Sequence, residues 1–224
     1  MKIVYDFGAN NGSNIPYYLL KFDKVIAIEA NPLLIDEMKI KFKKEIDSNR
    51  LILVNCVVSS YTGDVDFYIH KNNSVLSQFP IPIDIENFNM IKIKSNKPSD
   101  IVKEFGFPEY IKIDVEHTDA EIINDLFKNE IYPNYISAEI HDIMVFSLIT
   151  ACQKYKKYKL LDGKTINELY SNKSINNNIY TFPFHSAGPM FEDIDDEEMN
   201  EIELFNKIVK VGLGWKDIHA KRNY

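Results

Sequence analysis

Apolar runs of strand length alternate with helical patterns from the first residues of the chain. Ile3–Tyr5, Val25–Ile28 and Leu51–Val58 are near-continuous apolar runs, and between them Asn14–Lys21 and Pro32–Ile46 carry apolar residues at helical spacing. The order βαβαβ implies right-handed crossovers with helices on both faces of a parallel sheet, whose central strands lack polar alternation because both faces are buried. Asn31-Pro32 marks a helix start, a capping residue followed by proline in the first turn. After the turn signal Tyr61-Thr62-Gly63-Asp64, the alternation over Val65–Ile69 predicts an additional or edge strand.

From about residue 70 to 98 the pattern lapses, in a stretch with Asn72-Asn73 and three prolines, and an irregular insertion is expected there. Long irregular insertions in compact domains are more often binding loops than accidents. Periodicity resumes with Ser99-Asp100 capping a helix over Ile101–Phe105, then a strand at Tyr110–Asp114, a helix at Ala120–Phe127, a strand at Tyr135–Ile140 and a helix at Val145–Tyr155. Lys159–Leu161 and Ile179–Phe184 are the candidate last strands, separated by the Asn/Ser-rich loop Ser171–Asn178. The acidic stretch Glu192–Glu203 runs into a helical stripe of Ile202, Phe205, Ile208 and Val209, with its acidic face in solvent. The expectation is a single α/β domain over 1–224, with about seven mostly parallel strands, one extra edge strand, and a C-terminal segment of about 185–224 on the ligand side.

Composition agrees with one packed core: 224 residues, 45% hydrophobic and 26% charged. No run of about 18 uncharged apolar residues occurs and no charged segment leads into an apolar one at the N-terminus, so no membrane span is expected and the location read is cytoplasmic. Cys56 and Cys152 lie far apart without C-x-x-C spacing and read as reduced core residues. The net charge of -7 opposes a phosphate-tracking surface, so no nucleic-acid partner is expected. The lysine clusters Lys39–Lys44 and Lys154–Lys159 read as solvated helix faces.

Within this frame the first strand runs into "YDFGANNG". Glycine in a first βα turn lets the backbone approach a ligand closely. The spacing of Gly8 and Gly12 is wrong for the dinucleotide pattern G-x-G-x-x-G, because position 10 is Asn. Asp-x-Gly-x-x-x-Gly after the first strand instead resembles the class I S-adenosylmethionine methyltransferases. Glu29, ending the second strand about 20 residues on, is placed to accept hydrogen bonds from the ribose hydroxyls of an adenosine. Asp6 beside the turn suits a cationic sulfonium cofactor better than a pyrophosphate.

Further along, "YIKIDVEHTDAEII", "ISAEIHD", "IEANP", "YTGDVDFYI" and "SAGPMFEDI" together resemble the FkbM-type methyltransferases over nearly the whole chain. The sequence departs from that pattern at His117, where glycine is usual, at Asp119 in place of glutamate, and at Ala187. The resemblance implies a Rossmann-like class I methyltransferase fold and a site for S-adenosylmethionine formed by Asp6, Gly8, Ala9, Asn10, Asn11, Gly12, Glu29, Ala30, Asn31, Val57 and Asp114.

Asp114, Glu116, His117 and Asp119 follow the fourth strand, and Glu139, His141 and Asp142 the fifth, so an acidic, imidazole-bearing mouth is expected beside the cofactor. Methyl transfer to oxygen requires a positioned acceptor and removal of its proton. His141 is the expected base, with Asp114 positioning and Glu116 in support. Ser74, His117, Glu139, His185 and Ser186, with Asn73 and Tyr68, are expected to face the acceptor. A sugar, glycan or glycosylated small molecule is preferred as acceptor. A divalent metal is not favoured, and Asp114, Glu139 and Asp142 are its alternative ligands. A methyltransferase acting on RNA or protein and a non-catalytic binding module are the competing readings.

Overall fold

The first three predicted strands lie side by side in the computed structural model, which describes residues 1–184 and 186–223. They are β1 (Ile3–Phe7), β2 (Lys24–Glu29) and β3 (Leu51–Asn55), with α1 (Ile15–Lys21), α2 (Pro32–Lys41) and the short α3 (Lys43–Asp47) between them. Asn31 caps α2 as expected, its Oδ1 accepting from the Leu33 N–H with Pro32 in the first turn. The apolar run through Val58 breaks at Asn55-Cys56, and β4 (Val57–Val58) belongs to a second sheet with β5 (Gly63–His70) and β6 (Phe88–Asn96).

That second sheet corrects the expected irregular insertion. β5 and β6 pair antiparallel from Gly63↔Ser95 to His70↔Phe88, so only 71–87 lacks strand structure. The alternation Ile91-Lys92-Ile93-Lys94 is the signature of a strand with one wet face. Nor is Val65–Ile69 an edge strand of the main sheet, since β5 pairs only within this smaller one.

The chain then forms α4 (Pro98–Phe105), β7 (Tyr110–Ile113), α5 (Asp119–Lys128), β8 (Tyr135–Ile140), α6 (Ile143–Ala151) and β9 (Tyr155–Asp162). Ser99 and Asp100 do not cap α4; Lys97 holds the cap position and Pro98 opens the helix. α7 (Ile166–Leu169), the hairpin of β10 (Lys173–Ile175) and β11 (Asn178–Tyr180), α8 (Glu201–Val211) and β12 (Gly214–Arg222) complete it. Ile179–Phe184 is therefore not a sheet strand: β11 pairs only with β10. The missing strand is β12, which inserts antiparallel between β8 and β9. The seven-stranded order is β3-β2-β1-β7-β8-β12-β9, parallel except for β12. This is a Rossmann-like α/β architecture, as expected. The C-terminal segment thus ends in a strand inside the sheet, and Ala187 and Trp215 of that segment reach the ligand side.

Two further expectations change. Lys156, Lys157 and Lys159 of the Lys154–Lys159 cluster lie on β9 rather than a helix, and Lys159 is buried, donating to the Ile194 carbonyl at 2.6 Å. On α8, Leu204 and Ile208 face the core, whereas Ile202, Phe205 and Val209 are exposed. Cys56 and Cys152 are both free. Among the described residues no helix is long and apolar enough to cross a membrane.

Alternation sends Tyr5, Phe7, Ile111, Ile113, Ile136 and Ala138 to the face covered by α4, α5, α6 and α8. Val4, Val25 and Tyr110 meet α1, α2, α7 and the segment through Phe182 and Met190 on the other. That second face also carries a polar row along the strand register, Asp6↔Lys112↔Ser137↔His219↔Lys159, with all five residues buried. The strand order reverses between β1 and β7, and ligands of such sheets bind beyond the carboxyl ends at that point.

Candidate active site

The turn after β1 is built on positive backbone angles, with φ of 84° at Gly8, 48° at Asn10 and 70° at Gly12. Gly8 is there for close approach: a Cβ on it would come within 1.8 Å of the Asp114 carbonyl oxygen. Gly12 serves packing instead, since its Cβ would meet Ile15, Phe42 and Met38. The N–H groups of Gly8 and Ala9 both donate to the Ile28 carbonyl, at 3.0 and 2.9 Å. Across the turn, Glu29 Oε2 accepts from the Asn10 N–H at 2.8 Å and Oε1 from the Asn31 N–H at 2.7 Å. Burial raises the Glu29 pKa, and these two hydrogen bonds oppose the rise.

A cavity of about 380 Å³ opens over these strand ends. Gly8, Ala9 and Asn10 form one wall, Glu29, Ala30 and Val57 another, and Asp114, Glu116, Glu139 and His141 a third, while Ser74–Ser77 and Phe79 of the connection 71–87 lie over it. Apolar Ile28, Val58 and Phe67 line its interior, the mixture expected of a small-molecule site.

At the β7 and β8 ends the charged groups converge. His141 Nε2 lies 2.9 Å from Glu139 Oε2 and 3.7 Å from Glu116 Oε2. The hydrogen bond to Glu139 pushes the His141 pKa up to about 9, against the opposing effect of burial. Burial, with Asp114 and Glu139 nearby, pushes Glu116 up to about 7. Asp119, buried and accepting from the Val115 N–H at 3.3 Å, is also raised to about 7 by burial and Asp114. Glu116, Glu139 and His141 offer ligand atoms within 4.8 Å of one another and are the residues that would hold a divalent cation. Asp142 is not in that group; its Oδ1 caps α6 by accepting from the Met144 N–H at 2.9 Å.

The other expected residues divide by position. Asp6 does not line the cavity: it is buried beneath Lys112, and among the described residues neither of its oxygens accepts a directed hydrogen bond. Asn11 is exposed and Asn31 is engaged in the α2 cap, and neither lines the cavity. His117 is exposed with φ of 69°, a left-handed backbone geometry that favours glycine, and its ring is 6.0 Å from that of His141. Ser186 is buried and structural, bonding Asn14 Oδ1 and accepting from the Gly188 N–H. Tyr68 is buried away from the cavity, whereas Asn73 and Ser74 line it. His185 lies outside the described residues.

Sequence reasoning missed Lys112, Asn14 and Trp215, which all line the cavity, and Asp217, buried opposite Glu139 in the register. A signal for Lys112 existed. A single lysine inside the otherwise apolar strand "YIKI" must find partners where it is buried. Its Nζ donates to the Gly8 carbonyl at 2.9 Å and stands 3.2 Å from Asp6 Oδ1 and 3.3 Å from Asp114 Oδ2. Burial works against the ammonium, but Asp114 and Asp6 outweigh it and hold its pKa above the ordinary value.

No protein-family pattern and no curated protein sequence matches this chain. Among solved structures it is similar to the methyltransferase FkbM of Methylobacillus flagellatus, at 16% identity and a TM-score of 0.49, over 71% of this chain and 39% of that one. It is also similar to a precorrin-6y C5,15-methyltransferase of Geobacter metallireducens, at 11% identity and a TM-score of 0.43, over 99% and 80% of the two chains. An rRNA methylase of Streptococcus thermophilus aligns at 8% identity and a TM-score of 0.45, over 100% and 87%. This chain therefore spans well under half the length of the FkbM protein, and the chemistry of its site rests on its own residues.

Proposed function

We propose that this chain is an FkbM-type, S-adenosylmethionine-dependent O-methyltransferase of the cytoplasm that methylates a hydroxyl of a sugar, a glycan or a glycosylated small molecule. The observation that carries the reading is one continuous cavity with Glu29 and the glycine turn at its β2 and β1 side and Glu116, Glu139 and His141 at its β7 and β8 side. The residues fit the donor. Gly8 leaves a cradle that a Cβ would fill, Glu29 is a buried acceptor for ribose hydroxyls, and the wall beyond is rich in carboxylates that suit a cationic centre.

S-adenosylmethionine held there would supply an electrophilic methyl group for the acceptor oxygen, with the electron pair of the broken carbon–sulfur bond left on sulfur. The protein's part is to hold the hydroxyl in line and to take its proton. His141 Nε2 is committed to Glu139 and its raised pKa keeps it protonated near neutrality, so we move the proton-accepting role from His141 to Glu116, whose pKa of about 7 matches the task. His141 and Glu139 then orient the acceptor and balance the charge that forms. Polar Asn73, Ser74 and Ser77 in the overlying connection suit a hydroxyl-rich acceptor. A divalent cation is not required by this reading; Glu116, Glu139 and His141 would hold one, and turnover with and without a chelator tests that.

Calorimetric titration with S-adenosylhomocysteine and, separately, NAD tests the donor. Binding of the former alone is expected, and binding of NAD alone refutes the reading. A methyl-transfer assay across a panel of glycans and structured RNAs tests the acceptor; transfer only to RNA would overturn the sugar assignment.

A further inference from the structure

Gly8 is held from both sides. Its N–H donates to the β2 end at the Ile28 carbonyl, and its own carbonyl accepts from the Lys112 ammonium at 2.9 Å. Its bare Cα rests on the Asp114 backbone, where a Cβ would come within 1.8 Å of the carbonyl oxygen. Lys112 Nζ also stands 3.3 Å from Asp114 Oδ2. The Asp114 side chain, 35% exposed, is the open end of this group, and both Lys112 and Asp114 line the cavity. One ammonium, itself 3% exposed, therefore joins the end of β1, the glycine turn and the end of β7, the three elements that shape the middle of the cavity.

The plain alternative is that Lys112 is only the counter-ion of buried Asp6. The geometry points elsewhere. Nζ donates to the turn carbonyl at 2.9 Å and stands 3.2 Å from Asp6 Oδ1 and 3.3 Å from Asp114 Oδ2, so the ammonium is shared among three groups and is not held by Asp6 alone. A buried ion pair of this kind is weak support for stability, because desolvation cancels much of the attraction. What it does supply is a fixed position for the groups around it.

We propose that Lys112 is a positioning residue of the donor site: through the Gly8 carbonyl and the Asp114 carboxylate it sets the turn and the acid that face S-adenosylmethionine. The proposal rests on the methyl-donor reading above. Lys112 itself makes no bond to the reacting atoms; it acts through Gly8 and Asp114.

The test separates position from charge balance. Lys112→Met alone strands Asp6 in the interior, so its melting temperature is expected to fall. The double variant Asp6→Leu/Lys112→Met removes both charges and is expected to melt near wild type. By calorimetry, the double variant should nevertheless bind S-adenosylhomocysteine about tenfold or more weakly than wild type, as expected when a charge-assisted hydrogen bond that holds a site is lost. A stable double variant with wild-type affinity overturns the proposal and leaves Lys112 as a counter-ion. A measurement on wild-type protein needs no variant to fold. The ¹⁵N resonance of the buried Lys112 ammonium should shift when S-adenosylhomocysteine is added, and an unmoved resonance at saturation also overturns the proposal. Failure of wild-type protein to bind S-adenosylhomocysteine at all brings down the donor reading and this inference with it, whereas wild-type binding with either negative result brings down this inference alone.

Discussion

Glu116 sits at a backbone angle that side chains rarely adopt, with φ of 53°, and His117 follows at 69°. Two consecutive residues in the left-handed region turn the chain sharply after β7 and swing the Glu116 carboxylate to within 3.7 Å of His141. Replacing Glu116 by Gln keeps the shape and removes the proposed proton acceptor. Turnover should fall by about 10²-fold or more while S-adenosylhomocysteine affinity, read by calorimetry, stays within about twofold. At the exposed His117 the same geometry is a liability. His117→Gly should raise stability by about 0.5–1 kcal/mol, seen as a higher urea midpoint at unchanged slope.

Elements were legible where a local signal was strong. The apolar runs of β1, β2, β7 and β8 and the Asn31-Pro32 cap identify themselves, because burial on both faces and cap chemistry leave marks within a few residues. β6 was hidden by the prolines and asparagines before it, although its Ile-Lys alternation was present. β12 was hidden for a different reason. "GWKDIHAKR" carries aspartate, histidine and three basic residues, and reads as surface, yet its Asp217 and His219 are buried between β8 and β9. The helix leading into it has a reciprocal cap: Asn200 Oδ1 accepts from the Ile202 and Glu203 N–H groups, and Glu203 Oε2 accepts from the Asn200 N–H. Asn200→Ala should cost about 1 kcal/mol, measured by urea denaturation, since α8 delivers the chain into β12 and loses its N-terminal bonds.

Across the whole molecule the buried row Asp6, Lys112, Ser137, His219 and Lys159 links the site to the far edge of the sheet. Among the described residues neither His219 nitrogen has a hydrogen-bond partner, and burial, with Lys159 beside it, pushes its pKa down to about 3. The folded protein thus holds His219 neutral while the unfolded chain protonates it near its ordinary value of about 6.5. Because the unfolded state binds more protons between these two values, this group destabilises the fold as pH falls through 6.5 toward 3. The raised carboxyl groups of Asp6, Glu29 and Asp217 act in the opposite sense, so the effect is isolated by difference. Relative to wild type, His219→Leu should gain about 2 kcal/mol in unfolding free energy between pH 7 and pH 5, read from paired urea titrations.

The sequence by itself determined the parallel half of the sheet, the glycine turn with Glu29 opposite it, and the gathering of acids after the fourth and fifth strands. Each of these follows from periodicity and spacing within a short stretch of chain. Only the tertiary structure decided that Lys112 meets Gly8, Asp6 and Asp114, that Asp6 lies under the site rather than in it, and that the last residues form a strand inside the sheet. Those outcomes depend on which strands become neighbours and in what register, and pairing between distant segments leaves no mark in local sequence: one strand order places Asp217 and His219 in the interior, while the residues alone would have left them in water.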